Sequence, residues 1–103
     1  MFEILISDDA ENDLDNIYNW YESQKSGLGK VFITSFEKTL EILESFPLSK
    51  TKIKPNLHRC LLHKFPFGVY YLVDKKKKTV KIIGVLHFKR GNRTKNLILA
   101  QRK

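Results

Sequence analysis

The sequence predicts an α+β domain in which a helical hairpin packs on a mostly antiparallel sheet. Apolar residues recur with the period of a helix between residues 9 and 46, and they alternate with polar residues between residues 57 and 89. The first proline, Pro47, separates the two patterns. A chain of 103 residues has room for one hydrophobic core, so we expect a single domain over residues 1–103.

The N-terminal segment is predicted to form a strand followed by a helix. Residues 2–7 (FEILIS) alternate between apolar and polar side chains, which is typical of a short strand with one buried face. The next segment begins with Asp8 and Glu11 at the spacing of a capping box. It carries one apolar stripe, formed by Ala10, Leu14, Ile17 and Tyr21. We interpret its acidic residues as helix-stabilising and solubilising groups rather than as a metal or acid–base site.

A second helix is predicted after the SGLG segment, residues 26–29. Its apolar stripe consists of Leu28, Phe32, Phe36, Leu40 and Leu43. The helix is expected to end before Pro47, because proline disfavours helical geometry in the residue that precedes it. The short connection makes the two helices an antiparallel hairpin whose apolar stripes face the core.

The C-terminal half is predicted to form a three-stranded antiparallel meander. Residues 47–56 are interpreted as a basic loop, and the strands lie within residues 57–65, 67–74 and 79–89. The lysine run at 75–78 is then a solvated hairpin tip. Residues 93–103 are either a flexible tail or a short helical turn around Leu97 to Ala100.

The charge is distributed unevenly along the chain. Residues 1–46 carry 3 basic and 10 acidic side chains, a formal charge of −7, whereas residues 47–103 carry 16 basic and 1 acidic, a formal charge of +15. The second half therefore has few internal partners for its cations. Such a field attracts polyanions, either nucleic acid or an acidic polypeptide.

Several classes of site are disfavoured by the sequence. The single cysteine, Cys60, excludes an internal disulfide and a multi-cysteine zinc site, and we interpret it as a buried thiol. His58 and His63 are not spaced as a convincing metal pair, and we expect no metal and no cofactor. No long apolar run or secretory leader pattern is present, so we expect a cytoplasmic protein that does not bind membranes.

The candidate site lies on the predicted sheet face opposite the helical hairpin. Strict alternation in the last strand places Val80, Ile82, Leu86 and Phe88 on one side, and Lys81, Ile83, Val85, His87 and Lys89 on the other. We expect the cationic side to be open and to bring Arg59, His87, Lys89 and Arg90 together, with Lys81 and Arg93 as further binding residues. A mixed apolar and cationic surface suits a phosphate backbone or an acidic amphipathic peptide.

The order of these elements and several motifs resemble the RelE/ParE superfamily of type II toxin–antitoxin toxins. The motifs are DDAENDLDNIYNWYESQKSGLGKVF, ESFP, HRCLLHKFPFGVYYLVD and VLHFKR, and the resemblance covers about residues 2–93. It implies a bacterial, cytoplasmic toxin that inhibits growth or stabilises a plasmid. It also implies a cognate antitoxin whose acidic segment wraps around and neutralises this toxin.

The superfamily contains two activities, and the resemblance implies different roles for the basic residues in each. One branch cleaves messenger RNA in the ribosome, and the ParE branch is associated with poisoning DNA gyrase. In a nuclease, Arg59, Lys89 or Arg90 would stabilise the charge on the phosphorane, and His87 would transfer a proton.

The sequence departs from the nuclease pattern at two points. Several nuclease relatives have a tyrosine after this histidine and keep a carboxylate base, whereas this chain has Phe88 and no acid between Pro47 and Val73. Other nucleases of the branch use only lysine, arginine and tyrosine. We therefore favour a ParE-like gyrase inhibitor, with a RelE-like ribosome-dependent endonuclease as the alternative and a non-toxic, antitoxin-binding relative as a third hypothesis.

Overall fold

A computed structural model describes residues 1–102, which form a five-stranded sheet with helices on both of its faces. In chain order the elements are β1 (Glu3–Ile6), α1 (Asp8–Gln24), α2 (Leu28–Ser45), a 3₁₀ turn (Pro47–Ser49), β2 (Thr51–Lys54), β3 (Leu57–Leu61), β4 (Phe67–Asp74), β5 (Thr79–His87) and α3 (Asn92–Ala100). Within these residues no helix combines the length and the apolar character needed to cross a membrane.

The sheet has the strand order β1-β5-β4-β3-β2. β1 is parallel to β5, and every other neighbouring pair is antiparallel. The predicted α+β architecture is confirmed, but the meander has four strands rather than three. The segment interpreted as a basic loop contains β2, which pairs with β3 through Thr51 and Arg59. β2 was missed because it is an edge strand with mostly exposed, cationic side chains and no apolar alternation.

The helical hairpin begins and turns at defined polar contacts. Ser7, not Asp8, caps α1, because its Oγ accepts a hydrogen bond from the Ala10 N–H at 3.1 Å. The predicted capping box is therefore wrong, and Asp8 is the first residue of the helix. At the turn into α2, Gly27 has φ +89°, a conformation that favours glycine. The Glu22 carboxylate accepts hydrogen bonds from the N–H of Gly27 and from that of Gly29, both at 2.9 Å.

The sheet buries a different apolar cluster on each face. On the hairpin face, side chains of α1 and α2 pack against Cys60, Val69, Tyr71, Val80, Ile82 and Val85. On the α3 face, Leu99 of α3 lies in a cluster with Leu57, Tyr70, Ile83 and Leu86. The predicted core residues Leu14, Phe32, Phe36 and Leu43 are buried, while Ile17 and Leu40 are half-buried against the same cluster.

A bulge in β5 interrupts the alternation that the sequence predicts. Tyr71 pairs with Ile82 and Tyr70 pairs with Gly84, so Ile83 is an extra residue in β5. Beyond the bulge the two sides exchange. Val85 packs on the hairpin face and Leu86 on the α3 face, opposite to the prediction. Strict alternation failed because one inserted residue reverses the side of every residue that follows it.

The edge of β5 extends beyond the short strand β1. β1 pairs with Thr79–Ile82, and past that point the Asp13 Oδ2 accepts the Val85 N–H at 3.0 Å. Arg102 Nη1 donates to the Ile83 carbonyl at 3.2 Å and to Asp13 Oδ2 at 2.6 Å, and its Nη2 donates to Asp13 Oδ1 at 3.1 Å. The Asp13–Arg102 pair thus takes the place of a strand along this part of β5.

The C-terminal helix α3 covers part of the face that was expected to be open. It is longer than the turn predicted around Leu97 to Ala100, and its buried Leu99 and half-buried Ile98 pack on the sheet. Gly84 lets the Arg102 side chain lie close to the backbone of β5, because a Cβ at this position would be 2.9 Å from Arg102 Nη1.

We predict that truncating the core residues of α2 destabilises the fold in proportion to their burial. Phe36→Ala should lower the free energy of unfolding by about 3–5 kcal/mol because it leaves a buried cavity. Leu40→Ala should cost about 1–3 kcal/mol, since Leu40 is only half-buried. Urea unfolding measures both, and Ile42→Ala on the exposed side of α2 is the control, expected within about 0.5 kcal/mol of the unaltered protein. Equal losses for Phe36→Ala and Ile42→Ala would contradict this packing.

We predict that the Asp13–Arg102 pair contributes strongly to stability. Asp13→Ala should lower the free energy of unfolding by about 3 kcal/mol, because it leaves the largely buried Arg102 guanidinium and the Val85 N–H without this partner. Asp15→Ala, an exposed residue of the same helix, is the matched control and should change the value by less than about 0.5 kcal/mol. Chemical unfolding of the two variants tests this, and a similar small loss for both would show that the pair is not a structural anchor.

Candidate functional site

Arg59 lies on the α3 face, in the middle of the antiparallel strands. It pairs with Thr51 of β2 and with Tyr70 of β4, and its side chain passes over Gly68, where a Cβ would meet Arg59 Cγ at 3.1 Å. Its Nε is buried and has no hydrogen-bond partner among residues 1–102. Arg59 is therefore a partly buried cation that could accept a further anionic or carbonyl partner.

His87 lies on the opposite face of the sheet from Arg59. It pairs with Phe67, their ring centroids are 5.0 Å apart in an edge-on arrangement, and its Nδ1 is 3.0 Å from the backbone N–H of Lys89. Phe67 belongs to the hairpin face. The predicted grouping of Arg59 with His87 on one surface is therefore wrong, because the bulge in β5 moves His87 to the other side.

The residues after β5 form a cationic segment at the end of the sheet. Lys89 and Arg90 are exposed in the turn that follows the strand, and Arg93 is exposed in the first turn of α3. Lys95, further along α3, is only 8% exposed. The sequence has no acid after Asp74, so no acidic side chain of this segment offsets these charges. Lys89, Arg90 and Arg93 therefore lie within five consecutive residues, in the turn after β5 and the first turn of α3.

Lys81 lies on the α3 face, near the beginning of β5 rather than its end. The register places it beside Leu5 of β1 and Leu72 of β4. Together with Lys77 they line a shallow cleft of about 520 Å³. Leu5 is 45% exposed, so this end of the face combines apolar and cationic side chains. It is separated from Arg90 by the length of β5.

The remaining titratable groups in the strands have structural contacts. The His58 ring is buried and stacks on Tyr71 at 5.6 Å, and the Tyr71 hydroxyl donates to the Pro47 carbonyl at 2.6 Å. Burial raises the pKa of the Tyr71 hydroxyl and that of the Cys60 thiol. Both groups are held in their neutral forms at physiological pH. In the described part of the chain, no three His, Cys, Asp or Glu residues cluster closely enough to hold a metal ion.

The arrangement leaves the candidate cations able to bind anions, and it separates Arg59 from the candidate acid–base residue His87. The candidate site cations occupy two separate regions, the α3 face and the end of β5, where they can pair with carboxylates or phosphates. General acid–base catalysis requires a proton donor and acceptor within reach of one reacting group. The side chain best suited to that task, His87, is separated from Arg59 by the thickness of the sheet.

One surface feature was not predicted from the sequence, a groove along α2. Val31, Ile42 and Leu61 line it, together with several lysines. The signal in the sequence is limited to two apolar residues, Val31 and Ile42, with Thr34, Ser35 and Lys38 between them on the same side of α2. Two apolar residues beside the core stripe do not by themselves distinguish a wider core face from an exposed groove.

Comparison with known proteins agrees with the fold and with the motifs. The family model described as "ParE toxin of type II toxin-antitoxin system, parDE" matches residues 4–91. No curated protein has a detectably similar sequence. Among solved structures, a chain of the chromosomal ParDE system from P. aeruginosa superposes with a TM-score of 0.74 and 17% identity, covering 86% of this chain and 98% of that one.

Two RelE structures share the same fold with a looser superposition. A chain of the archaeal RelE-RelB complex from Pyrococcus horikoshii OT3 has a TM-score of 0.60 at 20% identity, over 87% of this chain and 98% of that one. The isolated E. coli RelE toxin has a TM-score of 0.56 at 16% identity, over 98% of this chain and 99% of that one. At these identities the structures establish the fold, and the match over residues 4–91 establishes the family. This chain belongs to the ParE toxin family of type II toxin–antitoxin systems, within the RelE/ParE superfamily.

Proposed function

We propose that this protein inhibits DNA gyrase in the bacterial cytoplasm and is neutralised by a cognate antitoxin that carries an acidic segment. The observation that carries the proposal is the match of the ParE toxin model to residues 4–91, together with the ParE-like resemblance of the sequence. The TM-score of 0.74 with the P. aeruginosa ParDE chain supports it, since the two RelE structures have 0.60 and 0.56.

The geometry of the basic residues argues against a nuclease site that combines Arg59 with His87, while Lys89 stays next to His87. RNA cleavage needs a base for the 2′-hydroxyl and an acid for the leaving oxygen, both near one phosphate. His87 is half-buried against Phe67 on the hairpin face, and Arg59 lies on the α3 face. A phosphate held by Arg59 would therefore be out of reach of His87.

In this proposal the exposed cations are contact residues. Lys89, Arg90 and Arg93 at the end of β5 can pair with acidic groups of a protein target or with DNA phosphates held by that target. Lys81 and Arg59 on the α3 face can pair with carboxylates of the antitoxin. A full-length complex would then bury charges that the basic half of this chain cannot neutralise by itself.

The second candidate is a ribosome-dependent mRNA endonuclease, and one observation favours it. The buried Nε of Arg59 has no hydrogen-bond partner among the described residues, as expected of a cation that binds a phosphate oxygen of a substrate. A nuclease site centred on Arg59 would have to use lysine and arginine alone, since His87 lies on the other face of the sheet. The alternative of a non-toxic relative predicts antitoxin binding without any effect on growth.

We predict that the purified toxin blocks supercoiling by DNA gyrase and leaves translated messages whole. Relaxed plasmid, ATP and gyrase should yield linear DNA after protein digestion when the toxin is present, and the antitoxin should prevent it. His87→Gln should retain this activity within about threefold, because a gyrase inhibitor does not need the proton-transfer step that a histidine catalyses. Primer extension on messages from cells that express the toxin measures RNA cleavage in parallel.

A matched pair of charge variants locates the contact region. Lys89→Ala with Arg90→Ala should weaken gyrase inhibition by about tenfold or more, whereas Lys75→Ala with Lys76→Ala at the exposed hairpin tip removes the same charge and should not. Cut messages with intact supercoiling would establish the nuclease instead. Toxic cells with neither effect would exclude both activities, and a chain without toxicity would establish the third hypothesis.

A further inference from the structure

One end of the sheet carries a cluster of exposed lysines that the proposed function does not use. The β2–β3 turn, residues 55–56, and the β4–β5 turn, residues 75–78, both lie at this end, because the four strands alternate in direction. We call this region the lysine end. All of its lysines are exposed, and they are Lys52, Lys54, Lys75, Lys76, Lys77, Lys78 and Lys81.

The strand register places lysines at both sides of the lysine end. Lys54 of β2 pairs with Leu57 of β3, Leu57 pairs with Leu72 of β4, and Leu72 pairs with Lys81 of β5. Neighbouring strands of a sheet are about 4.8 Å apart, so Lys54 and Lys81 are separated by about 14 Å across it. The turn 75–78 projects beyond this row of paired residues.

Two shallow clefts join these lysines into one surface. Lys52 and Lys75 line a cleft of about 200 Å³ on one side of the sheet end. Lys77 and Lys81 line a cleft of about 520 Å³ on the other side. Asn56 of the β2–β3 turn lines both clefts. The lysines of three strands and two turns therefore surround one projecting end of the molecule.

Few acidic side chains compensate this positive charge. None of the seven lysines forms an ion pair within residues 1–102. The five strands contain only two acids, Asp74 and Glu3, and both lie at this end. The Asp74 Oδ1 already accepts a hydrogen bond from the Lys77 backbone N–H at 3.0 Å, which closes the turn. The strands thus leave most of these charges free to bind an anionic partner.

The turn 75–78 is not an optimal sequence for a hairpin. Its four consecutive ammonium groups repel one another. Lys78 has φ +52°, a left-handed conformation that glycine and asparagine adopt more readily than lysine. The neighbouring turn follows that preference, since its left-handed residue is Asn56, with φ +69°. Lysine at a position that the backbone disfavours indicates a role other than folding.

Duplex DNA fits the lysine end better than other polyanions do. The minor groove of DNA is about 6 Å wide, so a surface about 14 Å across can reach the phosphates of both strands, whereas the minor groove of duplex RNA is wide. Protein interfaces are depleted in lysine, which disfavours an acidic polypeptide. The two turns contain lysine, proline and asparagine but no apolar anchor, which disfavours a bilayer surface.

We propose that the lysine end binds the phosphate backbone of double-stranded DNA without sequence preference. The turn 75–78 would contact one stretch of backbone, and Lys52, Lys54 and Lys81 would contact phosphates beside it. Lys89 and Arg90 lie at the opposite end of β5 from this surface, so the proposal does not rest on gyrase inhibition. Binding here would hold the protein on DNA, the substrate of the enzyme that we propose as its target.

The test measures the affinity of the unaltered protein for a fluorescent DNA duplex of about 20 base pairs by anisotropy, in the absence of gyrase and antitoxin. Each phosphate contact adds about 0.9 to the slope of log affinity against log salt. A site that uses four lysines should therefore lose about a hundredfold in affinity between about 50 mM and about 200 mM salt. A second duplex of unrelated sequence should bind within about twofold.

A matched pair of variants locates the contact. Lys75→Ala with Lys77→Ala should weaken DNA binding by about tenfold or more at about 50 mM salt, and should lower the salt slope by about 1.8, because two phosphate contacts are lost. Lys30→Ala with Lys38→Ala removes the same charge from exposed positions on α2 and should bind DNA within about threefold of the unaltered protein. Circular dichroism verifies that both variants are folded.

Several results would overturn the proposal. Equal losses for the two variants would show that only the overall charge attracts DNA, and the lysine end would then be an ordinary solvated surface. Failure of the unaltered protein to bind the duplex would have the same consequence. Tighter binding to duplex RNA, to polyglutamate or to anionic vesicles than to DNA would assign the lysine end to that other partner. Because gyrase is absent from the assay, none of these results bears on the proposed function.

Discussion

The edge of β5 that extends beyond β1 is the part of the structure on which the other features depend. β1 is too short to pair with all of β5, so the backbone groups of Ile83 and Val85 lie beyond its end. Asp13 of α1 accepts a hydrogen bond from the Val85 N–H, and Arg102, which follows α3, donates one to the Ile83 carbonyl. One ion pair therefore connects α1, the edge of β5 and the end of α3. An open edge at this position would be a template for pairing with other chains, and the pair removes it.

The bulge beside this edge determines which surface each candidate residue occupies. Because Ile83 is inserted, Val85 packs on the face covered by α1 and α2, whereas Leu86 packs on the α3 face with Tyr70. His87 follows Val85 to the hairpin side. The cations are consequently divided between the α3 face and the end of β5 instead of forming one cluster. This division places a phosphate held by Arg59 out of reach of His87.

The uneven charge of the sequence has a spatial counterpart. The acidic residues lie mostly on α1 and α2, while the basic residues lie mostly on the strands, in the turns and on α3. The acidic residues in the first turn of α1 also stabilise the helix, because negative charge near a helix N-terminus interacts favourably with the helix dipole. The groove along α2 is an exception, since Lys30 and Lys38 of α2 line it together with Lys50 and Lys64 from the basic half. An acidic partner thus finds cations on both sides of the sheet. A partly disordered chain that folds as it binds is suited to such a divided target, because it can reach around the edge.

The sequence by itself determined most of the elements and the family, whereas the tertiary structure decided the faces. Helical stripes such as Phe32 and Phe36 and the continuous apolar run of β4 reflect burial, which a short stretch of sequence records. The motifs added the superfamily. β2 was not predicted, and α3 was predicted only in part. β2 has no apolar alternation because it is an exposed edge, and α3 is stabilised by Leu99 and Arg102, whose partners lie far away in the sequence.

The bulge at Ile83 was not predictable from the sequence either, because its backbone groups are satisfied by Asp13 and Arg102 across the fold. The separation of Arg59 from His87 follows from that bulge. A single inserted residue moves every following side chain of the strand to the other face of the sheet, and only long-range contacts reveal the insertion.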